Sequence, residues 1–408
     1  MQRLKVIISG GGTGGHIFPA VSIANAVKAD HPEAEILFIG AEGRMEMQRV
    51  PDAGYKIIGL PVRGLIRPLW SPKNISVLCD FLKSRIKVKK IIREFKPDVA
   101  VGVGGYASAP TLNAAYSLGV PCLIQEQNSY AGVTNKSLAR KARKICVAYE
   151  GMERFFPKER IILTGNPVRQ SLVETTISKN EAAASFGLNP GKKVILIIGG
   201  SLGARTVNES VLNHLDEIRD SDVEILWQTG KYYYNEIMKR LGEQAEVPNL
   251  HPTEFISSMD NAYAAADLVI SRAGASSISE LCLLGKPCIL VPSPNVAEDH
   301  QIKNAMALST KGAAFLVKDI EAKEKLIPLA LKTVSDEQTL RSLSENILKL
   351  ALRDSAKIIA EEVYKLACSQ SEKGTLPNLQ WSLHPLRFPR YRGTETSERG
   401  GTQSQWLN

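Results

Sequence analysis

The sequence has few of the features that mark a secreted or metal-binding protein. Its 408 residues include six scattered cysteines, with no Cys-x-x-Cys pair and no zinc-site spacing. This distribution argues against a disulfide framework or structural zinc, and it predicts that Cys282 and Cys288 pack inside an α/β core. The amino terminus also lacks an apolar signal segment, which predicts a cytosolic chain.

The sequence also lacks an apolar run of membrane-spanning length that is free of glycine and proline. The longest uncharged stretch, Val99 to Gln125, contains four glycines, Pro110 and Pro121, which divide it into strand, loop and helix. We therefore expect no transmembrane helix. Positive charge is in excess instead, with a formal net charge of +9. This charge favours phosphorylated substrates, an anionic membrane or nucleic acid as partners.

Eight apolar segments alternate with helical patterns along most of the chain. Such alternation is typical of parallel sheets with helices on both faces, so the predicted fold class is α/β. The predicted strands are Leu4–Ile8, Glu35–Ile39, Val99–Val103, Val120–Ile124, Lys193–Ile198, Val223–Trp227, Leu268–Ile270 and Pro287–Val291.

The chain length fits two domains with a cleft between them. The segment KVILIIGGSLGA, which begins at Lys193, repeats the plan of KVIISGGGTGG, which begins at Lys5. Both run from strand to glycine turn to helix start, so we expect two similar halves that meet near residues 165–167. Helical periodicity is lost towards the end of the chain, and we expect residues 369–408 to form a disordered tail.

A strand, a glycine loop and a helix start together form a site for phosphate, because the first amides of a helix carry its positive dipole end. Three such corners follow predicted strands, at residues 10–15, 102–108 and 199–204. Gly10, Gly12 and Gly15 match the dinucleotide pattern G-x-G-x-x-G, which makes a nicotinamide-dependent oxidoreductase one hypothesis. The acid that this pattern requires is missing, because Gly40 ends the second strand.

The segment SRAGASSISE, residues 271–280, favours a nucleotide pocket in the second half. Gly274, Ala275 and Ser276 are placed to present amides to a diphosphate at a helix start. Glu280 lies about one turn beyond Ser276, where a carboxylate can accept both hydroxyls of a ribose. The alternative is a helix-capping box, since the four residues Ser277, Ile278, Ser279 and Glu280 have the S-x-x-E form.

Seven motifs occur in an order and spacing that carry a family resemblance. They are GGGTGGHIFPA (10–20), GVGGYAS (102–108), EQNSYAGVTNK (126–136), GNPVR (165–169), GGSLGAR (199–205), RAGASSISE (272–280) and HQIKNA (300–305). With these motifs the chain resembles the MurG family of bacterial N-acetylglucosaminyltransferases, which have the GT-B fold of two Rossmann-like doubly wound parallel-sheet domains. The resemblance covers residues 1 to about 368.

The resemblance implies an inverting transfer of N-acetylglucosamine from UDP-N-acetylglucosamine to the C4 hydroxyl of the N-acetylmuramyl-pentapeptide unit of undecaprenyl-diphosphate lipid I, giving lipid II and UDP. It assigns the acceptor and the membrane to residues 1–165 and UDP-N-acetylglucosamine to residues 166–348. A C-terminal helix at residues 349–368 is expected to pack back on the first domain. The expected location is peripheral, on the cytoplasmic face of the inner membrane.

The resemblance also assigns site residues by motif. Substrate contacts are expected at Thr13, Gly14, Gly15, Asn128, Arg169, Ser201, Ile256, Ala275, Ser276, Ser277, Ile278, Ser279, Glu280, Gln301 and Asn304, and an acceptor-side loop at Gly104, Gly105 and Tyr106. Among these, Ser201 is expected near the diphosphate, Ile256 at the uracil, and Gln301 with Asn304 at the sugar hydroxyls. No cofactor, metal or nucleic acid is expected, whereas proteins of cell-wall synthesis or division are candidate partners.

Two residues are candidates for the catalytic base. His16 stands at a helix start, where the positive dipole end favours the neutral ring, and Glu126 is the second candidate. The alternative for His16 is a hydrogen bond to a phosphate or to the loop. The family often has histidine where this chain has Gln125, which cannot accept a proton. The segment Asp220-Ser221-Asp222 has the Asp-x-Asp form of a metal-binding motif. It precedes a strand instead of following one, so we interpret it as a solvated loop.

A basic amphipathic stretch is a candidate for membrane docking. Seven Lys/Arg and one Glu lie between Lys83 and Lys96. Across Ile75–Lys96 a helical wheel gives two apolar stripes, only one of which needs to face the core. We expect the other to contact the anionic membrane surface, and the alternative is a buried helix with a solvated basic edge. A nucleotide-binding regulator without transferase activity remains the alternative function.

Overall fold

The structure is a computed structural model, and it describes residues 3–64, 73–168, 172, 176–243, 245–296 and 299–371. Two predictions from the sequence fall outside these residues. They are the site role of Arg169 and, from residue 372 onward, the disordered tail.

The first sheet is seven-stranded and entirely parallel, in the order β3-β2-β1-β4-β5-β6-β7. Its strands are β1 (Lys5–Ser9), β2 (Glu35–Ala41), β3 (Lys56–Leu60), β4 (Val99–Gly102), β5 (Cys122–Glu126), β6 (Lys144–Val147) and β7 (Ile161–Leu163). Its helices are α1 (Gly14–Asp30), α2 (Glu46–Asp52), α3 (Lys73–Phe95), α4 (Ser108–Ser117) and α5 (Val133–Leu138). Because helices cover both faces, the central strands are apolar almost throughout.

The second sheet repeats this order with six parallel strands, β10-β9-β8-β11-β12-β13. Its strands are β8 (Lys193–Ile198), β9 (Val223–Gln228), β10 (Leu250–Thr253), β11 (Leu268–Ser271), β12 (Cys288–Leu290) and β13 (Phe315–Leu316). Its helices are α6 (Lys179–Ser185), α7 (Arg205–Leu212), α8 (Leu215–Arg219), α9 (Tyr234–Gly242), α10 (Met259–Ala265), α11 (Ala275–Leu284), α12 (His300–Ser309), α13 (Asp319–Val334) and α14 (Glu337–Leu348). The predicted α/β class with two Rossmann-like halves is therefore confirmed.

The last described helix, α15 (Ser355–Ser371), packs on the first half. Its buried residues Ile359 and Val363 share a core cluster with Ile17 and Ile23 of α1. The first and the last described helices therefore pack together on the first sheet.

All eight predicted strands are present, with no end shifted by more than two residues. Five further strands were not predicted: β3, β6, β7, β10 and β13. Cys282 and Cys288 are buried free thiols, as expected. Among the described helices, none has the length and apolar character needed to cross a membrane.

Candidate functional site

Each sheet has its topological switch point at glycine-rich corners. The strand order reverses between β1 and β4 in the first sheet and between β8 and β11 in the second. In open α/β sheets, ligands bind beyond the carboxyl ends of the strands at such points. The loops that leave these four strands contain the corners found in the sequence, at residues 10–13, 103–107, 199–204 and 272–274.

Two glycine loops of the first half touch each other at the switch point. Gly104 and Gly105 have left-handed φ values of 96° and 84°. A Cβ on Gly105 would lie 2.3 Å from the carbonyl oxygen of Gly11, and one on Gly104 would lie 2.8 Å from the ring of His16. Glycine is therefore required here for both backbone conformation and close approach.

The loop after β1 presents a histidine in the first turn of α1. Thr13 is the N-cap residue, Gly14 and Gly15 follow it, and the hydroxyl oxygen of Thr13 lies 3.2 Å from Nδ1 of His16. Burial lowers the pKa of His16 below its usual 6.5, while the negative charge of Glu126 opposes this shift. The neutral ring is favoured, in the direction expected from the sequence, although burial is the main cause.

Glu126 ends β5 as a buried carboxylate with both oxygens engaged. Oε1 accepts a hydrogen bond from the Asn128 amide at 3.1 Å, and Oε2 accepts from the Gly132 amide at 3.0 Å and from Nδ2 of Asn135 at 2.9 Å. These bonds fix the loop that follows β5. The role of Glu126 as a base stays a prediction, and its occupied oxygens favour a positioning role.

Gln125, where the family often has histidine, lies in a buried chain of amides. Its Nε2 donates to Oδ1 of Asn166 at 2.9 Å. Nδ2 of Asn166 in turn donates to the hydroxyl of Ser279 on α11 at 3.0 Å. The glutamine therefore takes part in a hydrogen-bond path from the first sheet to the nucleotide segment of the second half.

Asn304 on α12 makes a second connection between the halves. Its buried Oδ1 accepts from the amide of Ser129 at 3.0 Å, and its Nδ2 donates to Oδ1 of Asn128 at 3.1 Å. A cavity of about 640 Å³ lies beside these contacts, lined in part by Ser129, Asn166 and Ser279. Asn304, predicted at the sugar hydroxyls, here bonds the first half directly.

The start of α11 has unused hydrogen-bonding capacity. Gly274 is its N-cap residue, so the amides of the first helical turn have no partner within the helix. The buried hydroxyl of Ser276 also lacks a hydrogen-bond partner among the described residues. The capping-box interpretation of Ser277 and Glu280 is wrong, because the helix begins two residues before Ser277.

Glu280 is a buried carboxylate that faces a tyrosine. The hydroxyl of Tyr263 on α10 donates to Oε2 of Glu280 at 3.0 Å. This contact fixes the rotamer of a carboxylate one turn into α11.

The other predicted substrate-binding residues of the second half lie in segments that follow its strands. The amide of the buried Ile256 donates to Oε1 of Gln228 at 2.9 Å. Ser201 is exposed in the loop after β8. Oε1 of Gln301 accepts from the amide of Ser293 at 2.8 Å. The backbone at Ile256 and the hydroxyl of Ser201 therefore lie at the carboxyl edge of the second sheet.

On the acceptor side, Tyr106 is exposed, and its ring packs against the backbone of Gly64. The sequence interpretation missed three polar residues: Glu46 beneath the first glycine loop, Tyr263 beside Glu280, and His300, which contributes to lowering the pKa of His16. The HQIKNA motif was a signal for His300. The other two are single residues in unremarked segments.

Two Rossmann-like halves with a cavity lined by residues of both define the class of two-domain proteins with the GT-B fold. The description "Glycosyltransferase family 28 N-terminal domain" matches residues 6–147, and "Glycosyltransferase family 28 C-terminal domain" matches residues 194–360. The chain belongs to glycosyltransferase family 28.

Similar proteins include the UDP-N-acetylglucosamine--N-acetylmuramyl-(pentapeptide) pyrophosphoryl-undecaprenol N-acetylglucosamine transferases of Phocaeicola vulgatus and Cytophaga hutchinsonii. The first is 65% identical over 366 residues, which cover 90% of this chain and 97% of the relative. The second is 53% identical over 362 residues, or 89% and 96%. The crystal structure of Acinetobacter baumannii MurG is 26% identical, covers 89% of this chain and 99% of that one, and has a TM-score of 0.72. The MurG resemblance is confirmed.

Proposed function

We propose that this chain transfers N-acetylglucosamine from UDP-N-acetylglucosamine to the C4 hydroxyl of the N-acetylmuramyl unit of lipid I, releasing UDP and forming lipid II. The relatives named for this transfer align over nine-tenths of the chain. The observation that carries the proposal is the pair of hydrogen bonds that joins the two halves. Asn304 on α12 accepts from the amide of Ser129 and donates to Oδ1 of Asn128, both in the loop after β5.

The donor binds the second half in this account. The amides at the start of α11 and the hydroxyl of Ser276 receive the diphosphate, and Glu280 receives the ribose diol. The backbone at Ile256 contacts uracil, and Ser201 lies near the diphosphate. The remaining proposed contacts of the sugar nucleotide are Asn128, Arg169, Gln301 and Asn304. The positive end of the α11 dipole stabilises the charge that develops on departing UDP, without an obligatory metal.

The first half supplies the base. The acceptor oxygen attacks the anomeric carbon from the face opposite UDP, so the bond to the diphosphate oxygen breaks as the new glycosidic bond forms. The hydroxyl proton passes to Nε2 of His16, while Thr13 holds Nδ1. Because burial lowers the pKa of His16, the ring is neutral and ready to accept at neutral pH. Glu126 holds the loop that carries Asn128.

Ligand-dependent stability tests the nucleotide specificity. A ligand that binds only the folded chain raises its melting temperature in proportion to the logarithm of concentration over Kd. We expect UDP and UDP-N-acetylglucosamine to raise it, and NAD at equal concentration to leave it unchanged. Stabilisation by NAD but not by UDP would contradict the proposal.

We further propose that α3 docks the protein on the cytoplasmic face of the inner membrane. One of its two apolar stripes is exposed: Ile75 at 68%, Leu78 at 58%, Leu82 at 49% and Ile86 at 71%. The other stripe contains Val77, Val88 and Ile92, which are buried in the first half. An exposed apolar stripe beside a surplus of lysines is typical of a helix that lies in a membrane interface.

Magnitudes indicate which part of α3 dominates the docking. Each lysine close to an anionic surface adds about 1 kcal/mol. Each large aliphatic side chain adds about 1.5–3 kcal/mol when fully buried. Lys87 is less available to lipid, since its ammonium group pairs with Glu42 at 3.3 Å and donates to the carbonyl of Gly59 at 2.7 Å. We therefore expect the apolar stripe to contribute most of the binding energy, and Lys83 and Lys90 to contribute its charge dependence.

Vesicle flotation tests this docking. Serine at Ile75, Leu78, Leu82 and Ile86 together should abolish binding to phosphatidylglycerol vesicles. Charge reversal at Lys83 and Lys90 should weaken it and remove its salt dependence. Ile320→Ser is the matched control, because Ile320 is an 88% exposed isoleucine on α13 of the second half. Vesicle binding that survives the serine variant would contradict the proposal, and UDP affinity should be unchanged throughout.

A further inference from the structure

Glu46 is a buried carboxylate that the transfer chemistry above does not use. It is the first residue of α2, and its side chain turns back towards the first switch point. Its Oε2 accepts the amide of Gly12 at 2.9 Å, and its Oε1 accepts the amide of Ala41 at 3.0 Å. One carboxylate therefore bonds the glycine loop after β1 to the end of β2.

Glycine backbone closes around this carboxylate from two sides. A Cβ on Gly11 would lie 2.1 Å from Oε1 of Glu46, and one on Gly40 would lie 2.6 Å from its Cγ. Any side chain at either position would displace Glu46. Gly11, inside the segment that resembles a dinucleotide fingerprint, and Gly40, at the end of β2, thus make room for a carboxylate of the protein itself.

This contact changes the role of the first glycine loop. The amide of Gly12 is occupied by Glu46 and is not available to a ligand, so at this residue the loop is held from within the protein. One residue beyond Gly12, Thr13 caps α1 and contacts Nδ1 of His16, while Gly11 packs against Gly105.

We propose that Glu46 is a positioning residue that fixes the loop of residues 10–13 and, through Thr13, the ring of His16. This inference rests on the proposed role of His16 as the base. Because hydrogen bonds to a charged acceptor are about twice as strong as neutral ones, the carboxylate is better suited to this role than an amide of the same shape.

Glu46 also acts on His16 through its charge. Burial is the main cause that lowers the pKa of His16, and the neighbouring His300 acts in the same direction, whereas Glu126, a backbone hydrogen bond to Gly11 and, last, Glu46 raise it. Removing the charge of Glu46 therefore moves the pKa of His16 further down. A merely structural residue at this position would not produce that shift.

The test compares Glu46→Gln with Glu42→Gln. Glutamine keeps the shape but replaces one acceptor by a donor that opposes a backbone amide. We expect kcat to fall roughly 10- to 100-fold, the usual effect of misplacing a catalytic group by about 1 Å. The KM for UDP-N-acetylglucosamine should stay within about twofold, and the acid limb of the kcat–pH profile should move to lower pH. Glu42 is an exposed carboxylate four residues earlier, paired with Lys87, and its variant should change neither quantity.

A second variant guards against misfolding. Glu46→Asp keeps the charge but withdraws it by one methylene, so kcat should fall while the acid limb stays near that of the parent. The proposal is overturned if Glu46→Gln is as active as Glu42→Gln. It is also overturned if both Glu46 variants lose activity only in proportion to their unfolded fraction at the assay temperature, measured by circular dichroism.

The result for His16→Gln distinguishes this inference from the proposal beneath it. Normal turnover in His16→Gln would show that the base is wrongly assigned, whatever Glu46 does. Lost turnover in His16→Gln with normal turnover and an unmoved acid limb in Glu46→Gln would leave the base intact and overturn the positioning role alone.

Discussion

Replacing Glu280 by alanine should weaken UDP binding more than any change of equal size elsewhere in the second half. The carboxylate is buried one turn into α11, and the hydroxyl of Tyr263 donates to its Oε2 at 3.0 Å. In the proposed complex the ribose hydroxyls donate to this carboxylate. Alanine removes that acceptor and leaves the amides at the start of α11 in place.

The expected magnitude follows from the charge on the acceptor. A hydrogen bond to a charged group contributes about 1.5–3 kcal/mol, so losing the diol contact should cost about that much binding free energy. Since about 1.4 kcal/mol is tenfold in affinity, the Kd for UDP should rise roughly 10- to 150-fold. The 2′-deoxy nucleotide already lacks one of the two hydroxyls, and its Kd should rise much less.

Isothermal titration with UDP and 2′-deoxy-UDP measures both effects. The matched control is Glu224→Ala, because Glu224 is another buried carboxylate of the same half. It lies near the amino end of β9, away from the carboxyl edge of the sheet, and its Oε2 is 2.6 Å from Nε2 of His251. This variant should lose stability but keep its UDP affinity. Equal losses of affinity for the two nucleotides in Glu280→Ala would refute the diol contact.

Three further predictions concern the cleft. His16→Gln should lower turnover by roughly 10²–10⁴, because glutamine keeps a hydrogen bond but cannot take the proton. The Kd for UDP-N-acetylglucosamine should change little. Near-normal turnover of this variant would contradict the assignment of His16 as the base. Because burial lowers the pKa of His16, kcat should be constant near neutral pH and fall only as the pH drops through a midpoint below 6.5, and a midpoint above 6.5 would count against a buried histidine base. Asn304→Ala should lower the free energy of unfolding by about 1–3 kcal/mol, since it leaves the buried amide of Ser129 without that acceptor. Asn346→Ala, which removes a surface side-chain amide bonded to the carbonyl of Gly312, is the control and should change this free energy little. Urea denaturation measures both.

The sequence predicts those parts of the fold and site whose signals lie in contiguous residues. The strand, glycine turn and helix start at Lys5 and Lys193 predict two similar sheets, because each signal is local. Strand β13 was missed because it has only two residues, too few for any periodicity.

Contacts between distant residues were not predictable. The capping-box prediction at Ser277 was wrong because the helix begins at Ala275 and already includes the small residues that precede Ser277. Glu46 meets Gly12 across 34 residues, and Asn304 meets Ser129 across 175 residues. No pattern in a single sequence pairs such positions, because only the folded sheets bring their loops together.

The most direct test of the central claim is product analysis by mass spectrometry and proton NMR. The purified chain is incubated with UDP-N-acetylglucosamine and a soluble lipid I analogue. We expect one N-acetylglucosamine to be added to the acceptor for each UDP released, with a β anomeric proton coupling that reports inversion. Release of free N-acetylglucosamine without a glycosylated acceptor, or binding of the donor with no turnover, would contradict the account.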